Sequence, residues 1–366
     1  MKIIFVAGGT GGHIYPALTL ANELKNRGHE ILFIGSSSRM EKDAVPSAGF
    51  KHIGLDVSIP KGNIFNKAKS FFSLVGAYNK CKDLVKGYDV AIGFGNYISL
   101  PVMLAAKKLG LKTIIHEQNS FAGKANLYLD TKMDYVICSY DENLKQFKNP
   151  NAFVYGNPQL YKAINEKEDR NCISELGLDS NKKTVVIFMG SLGSNSVDKV
   201  LLDYFNKTDG SYQIIYARGK DCEEDISKYS FSSHIVIKDK IDGTKFIKNT
   251  DLVIARSGAT TVSEIIGCGK PSILIASPFV PENHQYYNAL PLKEIGASIL
   301  LNEKELNSEI LLENVNSIIK SSDKLNEMGL AAKKLLKNNI IENIIGIVEK
   351  KWLVNFWKYM EIIEQI

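Results

Sequence analysis

Residues 2–13 of the chain read KIIFVAGGTGGH, an apolar run that passes directly into four glycines and a histidine. β-Branched and aromatic residues that end at glycine are typical of a buried strand, and residues 16–27 carry apolar side chains at helical spacing. A strand, a glycine-rich turn and a helix in this order place the turn at the carboxyl end of a strand, where open α/β sheets bind their ligands. The stretch predicts both the first strand of a parallel sheet and a binding site beside it.

Short apolar runs alternate with helical patterns along the rest of the chain, and helices that connect successive strands make those strands parallel. Further strands are predicted at residues 31–34, 90–92, 113–115, 135–138, 153–155, 184–189, 213–217, 234–237, 252–255 and 272–276. A chain of 366 residues is too long for one ordinary core. We therefore predict an α/β protein of two Rossmann-like domains whose parallel sheets face a cleft.

A polar stretch at residues 165–171 separates the two series of predicted strands. From it we predict an amino-terminal domain over residues 1–157, a linker over 158–170 and a carboxyl-terminal domain over 171–345. Residues 346–366 have helical spacing and are expected to form a final helix that can pack back on the first domain.

The composition is that of a folded globular protein, with 45% hydrophobic and 23% charged residues. A formal charge of +5 suits anionic small molecules or an anionic membrane surface, but it is too weak to indicate nucleic acid. The five cysteines include no C-x-x-C pair, and no apolar run reaches the roughly 18–20 residues of a membrane span. A reducing compartment and at most peripheral membrane contact are expected. No D-x-D sequence occurs, so we predict neither a metal site nor a cofactor.

The GGTGGH loop, residues 8–13, lets a ligand approach the backbone closely because glycine has no side chain. It is neither the G-x-G-x-x-G of dinucleotide sites nor a P-loop. Four glycines and a histidine at a strand end favour a binding role over a tight structural turn. Residues 190–194 (GSLGS) occupy the same strand-to-helix position in the second half, where backbone N–H groups would lie against a diphosphate.

A third strand-to-helix junction lies at residues 256–264 (RSGATTVSE). Residues 258–261 can begin a helix whose N–H groups point at phosphate, and Glu264 can accept hydrogen bonds from both ribose hydroxyls. The alternative is an ordinary capped helix in which Glu264 is an acid favoured by the helix dipole. The two explanations are equally good from this segment alone.

Two further segments carry polar side chains suited to a ligand. Residues 116–119 (HEQN) follow the predicted strand at 113–115, and a packed loop needs far less polarity. Residues 278–290 begin as a proline-bounded loop and supply His284 and Gln285 as hydrogen-bonding partners for a sugar. A solvated loop explains the second segment equally well.

Membrane contact is one of two explanations for a helix predicted around residues 64–75. Its apolar residues recur at helical spacing with Lys61, Lys67 and Lys69 nearby, as in an interfacial amphipathic helix. Core packing produces the same apolar stripe. The aromatic face of residues 352–360 has the same two explanations.

Six motifs taken together resemble the MurG family of glycosyltransferases, in the family's order and over residues 8 to about 300. They are GGTGGHIYPA (8–17), HEQN (116–119), GNP (156–158), GSLG (190–193), RSGA (256–259) and ENHQ (282–285). The resemblance implies a GT-B fold and an inverting, metal-independent transfer of N-acetylglucosamine from UDP-N-acetylglucosamine. The implied acceptor is the C4 hydroxyl of lipid I, the undecaprenyl-diphosphate-linked N-acetylmuramyl-pentapeptide, which gives lipid II and UDP in peptidoglycan biosynthesis.

The resemblance also implies where the enzyme works and with what. A peripheral protein at the cytoplasmic side of the cell membrane is expected, with an anionic membrane surface as a partner. Other proteins of cell-wall synthesis or division are candidate partners, with cell shape as the process served. The second domain would hold the UDP-sugar and the first would receive lipid I.

Individual roles follow by matching this chain to the family's motifs. Ser191 would lie on the donor phosphates, Ile241 would meet the uracil through its backbone, and Glu264 would hold the ribose. Gln285 would contact the N-acetylglucosamine. The remaining predicted substrate-binding residues are Thr10, Gly11, Gly12 and Asn119 for the donor sugar and diphosphate, and Ala259, Thr260, Thr261, Val262 and Ser263 in the helix that leads to Glu264.

The acceptor hydroxyl must lose a proton as it attacks the anomeric carbon, so a general base belongs on the acceptor side. His13 is the predicted base, because imidazole is suited to proton transfer near neutral pH. Glu117 is its rival, and in that case His13 would bind the acceptor diphosphate.

One departure from the family pattern concerns the donor. The family continues Gly-Asn-Pro with a small apolar residue and an arginine that serves the donor, whereas this chain reads Gln159-Leu160. Weaker donor binding is expected unless Lys162 supplies the missing charge. Two other functions stay open: a UDP-N-acetylglucosamine 2-epimerase, which needs no lipid acceptor, and a degenerate, non-catalytic scaffold that binds lipid I.

Overall fold

The structure is a computed structural model that describes residues 1–57, 64–190, 193–219 and 222–350, without the side chains of residues 64–72. Contacts divide the chain into two units. The first comprises Met1–Pro158 and the chain from Lys337, and the second comprises Gln159–Leu336. In the part described, no helix has both the length and the apolar character needed to cross a membrane.

The strands are β1 (Lys2–Val6), β2 (Glu30–Ser36), β3 (Lys51–Leu55), β4 (Val90–Gly93), β5 (Lys112–Glu117), β6 (Tyr135–Cys138), β7 (Ala152–Val154), β8 (Thr184–Phe188), β9 (Gln213–Ala217), β10 (Ile235–Lys238), β11 (Leu252–Ala255), β12 (Ser272–Ala276) and β13 (Ser298–Asn302). The helices are α1 (Gly11–Asn26), α2 (Glu41–Ser47), α3 (Ile64–Val85), α4 (Ser99–Lys108), α5 (Lys124–Leu129), α6 (Pro158–Ile164), α7 (Asn171–Ser174), α8 (Asn195–Asn206), α9 (Gly243–Asn249), α10 (Ala259–Cys268), α11 (His284–Glu294), α12 (Ser308–Ile319), α13 (Ser322–Lys333) and α14 (Ile340–Glu349).

The first unit is built on a seven-stranded sheet in the order β3-β2-β1-β4-β5-β6-β7, in which every pair of neighbours is parallel. Its central strands read as unbroken apolar runs because both faces of the sheet are covered, and β4 is buried throughout. The chain builds outward from β1 through β2 and β3, then returns to place β4 on the other side of β1. That reversal creates a crevice at the carboxyl ends of β1 and β4, where doubly wound sheets bind ligands.

The second unit repeats the plan with a six-stranded parallel sheet in the order β10-β9-β8-β11-β12-β13. Here β8 and β11 form the pair at which the strand order reverses. Apolar faces of α8 and α12 cover the sheet, with Leu201 and Val315 among their fully buried residues. The predicted pair of Rossmann-like halves on parallel sheets is confirmed.

The sequence patterns miss two edge strands. β3 reads KHIGL and β13 reads SILLN, and each buries only one of its five residues, Leu55 and Ser298 respectively. The other two edge strands, β7 and β10, were predicted from their apolar runs. β3 has Gly54 between its apolar residues, whereas β13 contains three consecutive apolar residues, 299–301, and was nevertheless not predicted.

The boundaries of the units differ from those predicted. The segment predicted as a linker, residues 158–170, includes α6, whose Leu160 and Ala163 are buried. These residues pack on α10 at Gly267, where an added Cβ would lie 2.6 Å from the Cβ of Ala163. At the other end, residues 337–345 belong to the first unit although they were predicted in the second domain.

Helix α14 joins the first unit because one of its faces is apolar. Its buried residues are Ile340, Ile341, Ile344, Ile345, Ile347 and Val348. Beside this face, Arg27 of α1 pairs with Glu342, and Lys112 donates from Nζ to the carbonyl oxygen of Ile347. The predicted final helix over 346–366 thus begins earlier, and residues 351–366 lie outside the described part of the chain.

Candidate functional site

The glycine-rich loop of the first unit connects β1 to α1 at the crevice. Gly9 has a φ of +92°, a backbone conformation that residues with a side chain rarely adopt. The residue before α1, Thr10, makes no side-chain capping hydrogen bond. The first N–H groups of the helix, at Gly11 and Gly12, are therefore placed to be satisfied by a ligand. Three of the predicted binding residues thus lie together at an accessible helix start.

His13 lies on the first turn of α1, above the loop that follows β4. Its Nδ1 is 3.2 Å from Oγ1 of Thr10. A Cβ added to Gly95 would lie 3.4 Å from Cδ2 of His13 and 3.5 Å from Nδ2 of Asn126. The imidazole and the Asn126 amide therefore share the space above Gly95. His13 is half-buried, which keeps it within reach of a substrate.

Glu117, the rival base, is 2% exposed, and both of its carboxylate oxygens are occupied. Oε1 accepts the backbone N–H and the side-chain amide of Asn119 at 3.0 and 3.4 Å. Oε2 accepts the N–H of Gly123 at 2.9 Å and the amide of Asn126 at 2.8 Å. Burial raises the pKa of this carboxyl, and the four hydrogen bonds oppose the rise. These hydrogen bonds hold the segment that carries Asn119 and Asn126 in place. Because both oxygens of Glu117 already accept hydrogen bonds, the geometry disfavours Glu117 as the general base.

The neighbours of Glu117 are also buried. His116 stacks on Phe94 with ring centroids 5.2 Å apart, and its Nε2 lies 3.1 Å from the carbonyl oxygen of Gly156. Burial lowers the pKa of His116 to about 4, so the ring is neutral at physiological pH. Gln118 donates to the His116 carbonyl oxygen at 3.0 Å. Of the HEQN motif, only Asn119 is accessible enough to touch a ligand.

The loop after β8 in the second unit has a similar design. Ser191, predicted on the donor phosphates, lies outside the described residues. Gly190 and Gly193 on either side of the gap have φ angles of +87° and +85°. A Cβ on Gly193 would lie 2.6 Å from the carbonyl oxygen of Arg218, so no side chain fits there. The residue before α8, Ser194, makes no side-chain cap, which leaves the helix start for an anion.

Arg256 holds three loops together at the carboxyl end of the second sheet, a role that the sequence reasoning did not assign. It is 8% exposed and donates from Nη2 to Oγ of Ser194 at 2.6 Å. Nη1 donates to Oε2 of Glu303 at 2.6 Å. These residues follow β11, precede α8 and follow β13. The guanidinium is committed to these contacts, so it orders the loops around the expected phosphate position.

Helix α10 begins at Ala259 without a side-chain cap. The structure separates the residues predicted to bind substrate here into two groups. Thr260 and Thr261 are half-buried, whereas Ala259, Val262 and Ser263 are buried, with the Ser263 hydroxyl donating to the Ala259 carbonyl oxygen at 2.8 Å. Contacts from the second group would have to come from the backbone.

Two buried hydroxyl groups at the start of α10 lack a hydrogen-bond partner among the described residues, namely Oγ of Ser257 and Oγ1 of Thr260. Buried polar groups in proteins are almost always paired. Both oxygens lie in the segment predicted to bind the nucleotide-sugar, and the surrounding protein shields each of them from solvent.

Glu264 is 8% exposed, and its two oxygens differ. Oε1 accepts Nε2 of Gln159 and Oγ1 of Thr244, each at 2.9 Å. Oε2 makes no hydrogen bond within the described residues. Burial raises the pKa of Glu264, while these two hydrogen bonds and the charge of Lys162 oppose the rise. One oxygen is held in place and the other can accept from a ribose hydroxyl.

The position of the missing family arginine is part of the core. Leu160 is 4% exposed, and its carbonyl oxygen would lie 2.8 Å from a Cβ added to Gly267. Its neighbour Gln159 is buried and donates to Glu264, as described above. Lys162 is half-buried and acts electrostatically on the same carboxyl.

The last two predicted residues are Ile241, which follows β10, and Gln285, which follows β12, both on the carboxyl side of the second sheet. Ile241 is half-buried in the turn before α9, two residues from Gly243, whose added Cβ would lie 3.7 Å from Oε2 of Glu264. Gln285 is half-buried at the start of α11, and its Oε1 accepts the N–H of Ser277 at 2.9 Å. That bond orients the amide, and Nε2 makes no hydrogen bond within the described residues.

Two family models match the chain. The glycosyltransferase family 28 N-terminal domain matches residues 3–137, and the glycosyltransferase family 28 C-terminal domain matches residues 184–344. The UDP-N-acetylglucosamine–N-acetylmuramyl-(pentapeptide) pyrophosphoryl-undecaprenol N-acetylglucosamine transferase of Bacillus licheniformis is 33% identical over 361 residues, which cover 96% of this chain and 98% of the relative. The protein of the same name from Bacillus pumilus is 35% identical over 347 residues, or 92% and 95% of the two chains.

Solved structures show the same fold. Acinetobacter baumannii MurG matches with a TM-score of 0.73 and 22% identity over 95% of this chain and 99% of that chain. A putative UDP-N-acetylglucosamine 2-epimerase from Listeria monocytogenes matches with a TM-score of 0.70 and 13% identity over 96% of both chains. The expected GT-B fold is confirmed, and the epimerase shares it.

Proposed function

The chain belongs to glycosyltransferase family 28, and from that premise we propose that it transfers N-acetylglucosamine from UDP-N-acetylglucosamine to the lipid-linked N-acetylmuramyl-pentapeptide, the reaction that its relatives' name describes. One observation carries the proposal. In each unit, a glycine-containing loop lies at the point where the strand order reverses. The helix that follows this loop has no side-chain hydrogen bond capping its N-terminus. Both substrates contain a diphosphate, and such a helix start binds one.

The second unit supplies the donor site in this proposal. The starts of α8 and α10 would hold the diphosphate, and Oε2 of Glu264 would accept a ribose hydroxyl. Ile241 would contact the uracil, and Gln285 would donate to the sugar. Negative charge that develops on the departing UDP is stabilised by the N–H groups of these helix starts, without a metal ion.

The first unit supplies the acceptor site and the base, so the N–H groups of Gly11 and Gly12, predicted for the donor diphosphate, are assigned here to the diphosphate of the acceptor. As the C4 hydroxyl oxygen attacks the anomeric carbon, His13 takes the hydroxyl proton, and the bond from that carbon to the UDP oxygen breaks with inversion. Because Nδ1 of His13 lies beside Thr10, Nε2 is the atom that accepts the proton. The buried carboxylate of Glu117, with both oxygens hydrogen-bonded, keeps Asn119 in place and holds Asn126 near His13.

The test is a transfer assay with purified protein, labelled UDP-N-acetylglucosamine and a lipid I analogue. We expect labelled disaccharide-lipid, UDP release that depends strictly on the acceptor, and rates that are unchanged by EDTA. Conversion of the donor to its C2 epimer, UDP-N-acetylmannosamine, without the acceptor would support the 2-epimerase. Binding of the acceptor without transfer would support the scaffold, and loss of activity in EDTA would contradict a metal-free mechanism.

We also propose that the first unit contacts the membrane through its α5 patch, which we define as Phe121, Leu127, Tyr128 and Lys132. The three apolar residues are 39%, 39% and 55% exposed, and Nζ of Lys132 lies 4.1 Å from the centroid of the Tyr128 ring. Exposed apolar side chains beside lysine suit an anionic lipid surface. By the family resemblance, that surface is the cytoplasmic side of the cell membrane.

The helix for which membrane contact was predicted, residues 64–75, is the start of α3. Helices α3 and α5 both pack on α4. Side chains of residues 64–72 and the aromatic residues 352–360 lie outside the described part of the chain. Contact with other cell-wall or division proteins stays a prediction.

Cosedimentation with vesicles tests the α5 patch. The protein is expected to sediment with phosphatidylglycerol-containing vesicles and less with pure phosphatidylcholine. Leu127→Glu with Tyr128→Glu should abolish that binding, whereas Leu330→Glu, a substitution at an exposed apolar residue of the second unit, should not. Equal sedimentation of both variants would remove the patch as the membrane contact.

A further inference from the structure

The peptide group between Gly8 and Gly9 is hydrogen-bonded on both sides by side chains from elsewhere in the first unit. Its N–H, on Gly9, donates to Oε2 of Glu41 at 3.1 Å. Its carbonyl oxygen, on Gly8, accepts from Nδ2 of Asn96 at 2.8 Å. A peptide plane held at both ends cannot rotate unless one of these bonds breaks. We call this arrangement the peptide clamp.

The carboxylate of the peptide clamp is fully buried. Glu41 is the first residue of α2 and is 0% exposed, and its second oxygen, Oε1, accepts the N–H of Ser36 at 2.8 Å. Glycines make room for it, because a Cβ on Gly35 would lie 2.8 Å from Cγ of Glu41. A Cβ on Gly8 would clash with Oε1 of the same side chain. Burial of a polar group is costly unless hydrogen bonds compensate, and here the backbone N–H groups of Gly9 and of Ser36, the last residue of β2, supply them.

The amide of the peptide clamp comes from the loop after β4. Asn96 has a φ of +69°, the left-handed region that asparagine tolerates better than other residues with a side chain. Its Oδ1 accepts the N–H of Tyr97 at 2.6 Å, which orients Nδ2 towards Gly8. Gly95, the neighbour of Asn96, is the residue over which His13 lies. The same loop thus touches both the glycine turn and the base.

We propose that Glu41 and Asn96 are positioning residues for transfer, which set the direction of the first turn of α1 and of His13 through the Gly8–Gly9 peptide. This inference rests on the proposed function. Both side chains would act through their hydrogen bonds to the Gly8–Gly9 peptide and not by contact with substrate. Glu41 also occupies the N–H of Gly9, so the anion-binding N–H groups are those of Gly11 and Gly12. Displacement of a catalytic group by about 1 Å can cost about 100-fold in rate, so a partial loosening of this turn is expected to cost about tenfold.

Two variants change the clamp by a single atom each. Asn96→Asp keeps the acceptor for Tyr97 N–H but turns an oxygen towards the Gly8 carbonyl. Glu41→Gln keeps one acceptor and turns an amide towards one of the two N–H donors. Matched controls are Asn79→Asp and Glu30→Gln, which change exposed residues of the same unit.

Two measurements decide the inference. In the transfer assay, the clamp variants should lower kcat about tenfold with unchanged UDP affinity, while the controls match the wild type. In hydrogen exchange, the amides of residues 8–13 should exchange faster in the clamp variants, with those of α14 unchanged. The proposal fails if both clamp variants keep the wild-type kcat, or if exchange over 8–13 is unaltered.

A purely structural role predicts a different outcome. It would lower the melting temperature and the fraction of folded protein, but not kcat per folded molecule. If Asn96→Asp does not fold, Asn96→Gly replaces it, because glycine adopts the left-handed conformation without strain. A wild type without transfer activity would refute the proposed function alone, and exchange over residues 8–13 would still decide whether the clamp orders the loop.

Discussion

Replacement of His13 by alanine is expected to lower kcat for transfer by about 100- to 10,000-fold, the range over which a general base contributes. The imidazole is half-buried on the first turn of α1, and its only rival for the base, Glu117, has both oxygens occupied by N–H donors. UDP affinity should be unchanged because the proposed nucleotide contacts come from the second unit. Single-turnover transfer and calorimetric titration with UDP measure the two quantities.

The control for this prediction is His234→Ala, a change at a half-buried histidine of the second unit that contacts Thr208. Its transfer rate should equal that of the wild type. Undiminished transfer by the His13 variant would exclude His13 as the base and return that role to Glu117. Weaker acceptor binding with an unchanged kcat would instead assign the imidazole to the acceptor diphosphate.

Replacement of Glu264 by alanine is expected to weaken UDP binding by about 10- to 100-fold. A hydrogen bond to a charged group contributes about 1.5–3 kcal/mol, and each 1.4 kcal/mol is a factor of about ten in affinity. The loss also leaves Gln159 and Thr244 without the carboxylate that they now hold. Calorimetric titration with UDP measures the effect, and deoxyuridine diphosphate tests the ribose contact directly.

Two further variants separate the ribose contact from a general loss of structure. Gln159→Val keeps the carboxylate, removes one of its donors and restores a small apolar residue, so a smaller loss of UDP affinity is expected. Glu313→Ala, at an exposed position of α12, should bind UDP as the wild type does. If Glu264→Ala binds UDP normally, the carboxyl serves only to pack α6, α9 and α10 together.

The features that sequence predicts here are those carried by contiguous residues. β1 and the GGTGGH loop can both be predicted from one stretch of twelve residues. A strand buried on both faces of the sheet must be apolar, and a turn that a ligand approaches closely must lack side chains. The starts of α8 and α10 follow for the same reason. β3 was not predicted because its sequence, KHIGL, contains no run of consecutive apolar residues.

Features that depend on residues distant in sequence could not be predicted in this way. Glu41 is 32 residues from Gly9, and Asn96 is 88 residues from Gly8, so no local spacing links them to the loop. Glu117 is a similar case, because its suitability as a base depends on burial and on hydrogen bonds from Gly123 and Asn126. Leu160 was recognised as a departure, but only the structure shows that Gln159 bonds to Glu264.

Helix α14 has a consequence for how the protein is made. The second unit, Gln159–Leu336, is one uninterrupted stretch of chain, whereas the first needs residues on both sides of it. Domains usually complete in order as they leave the ribosome, the amino-terminal one first. Here the second unit leaves the ribosome complete, while the apolar surface of the first unit that will receive Ile340, Ile344 and Val348 is still uncovered. A nascent chain stopped at residue 336 would therefore carry a complete second unit and a first unit that still lacks α14.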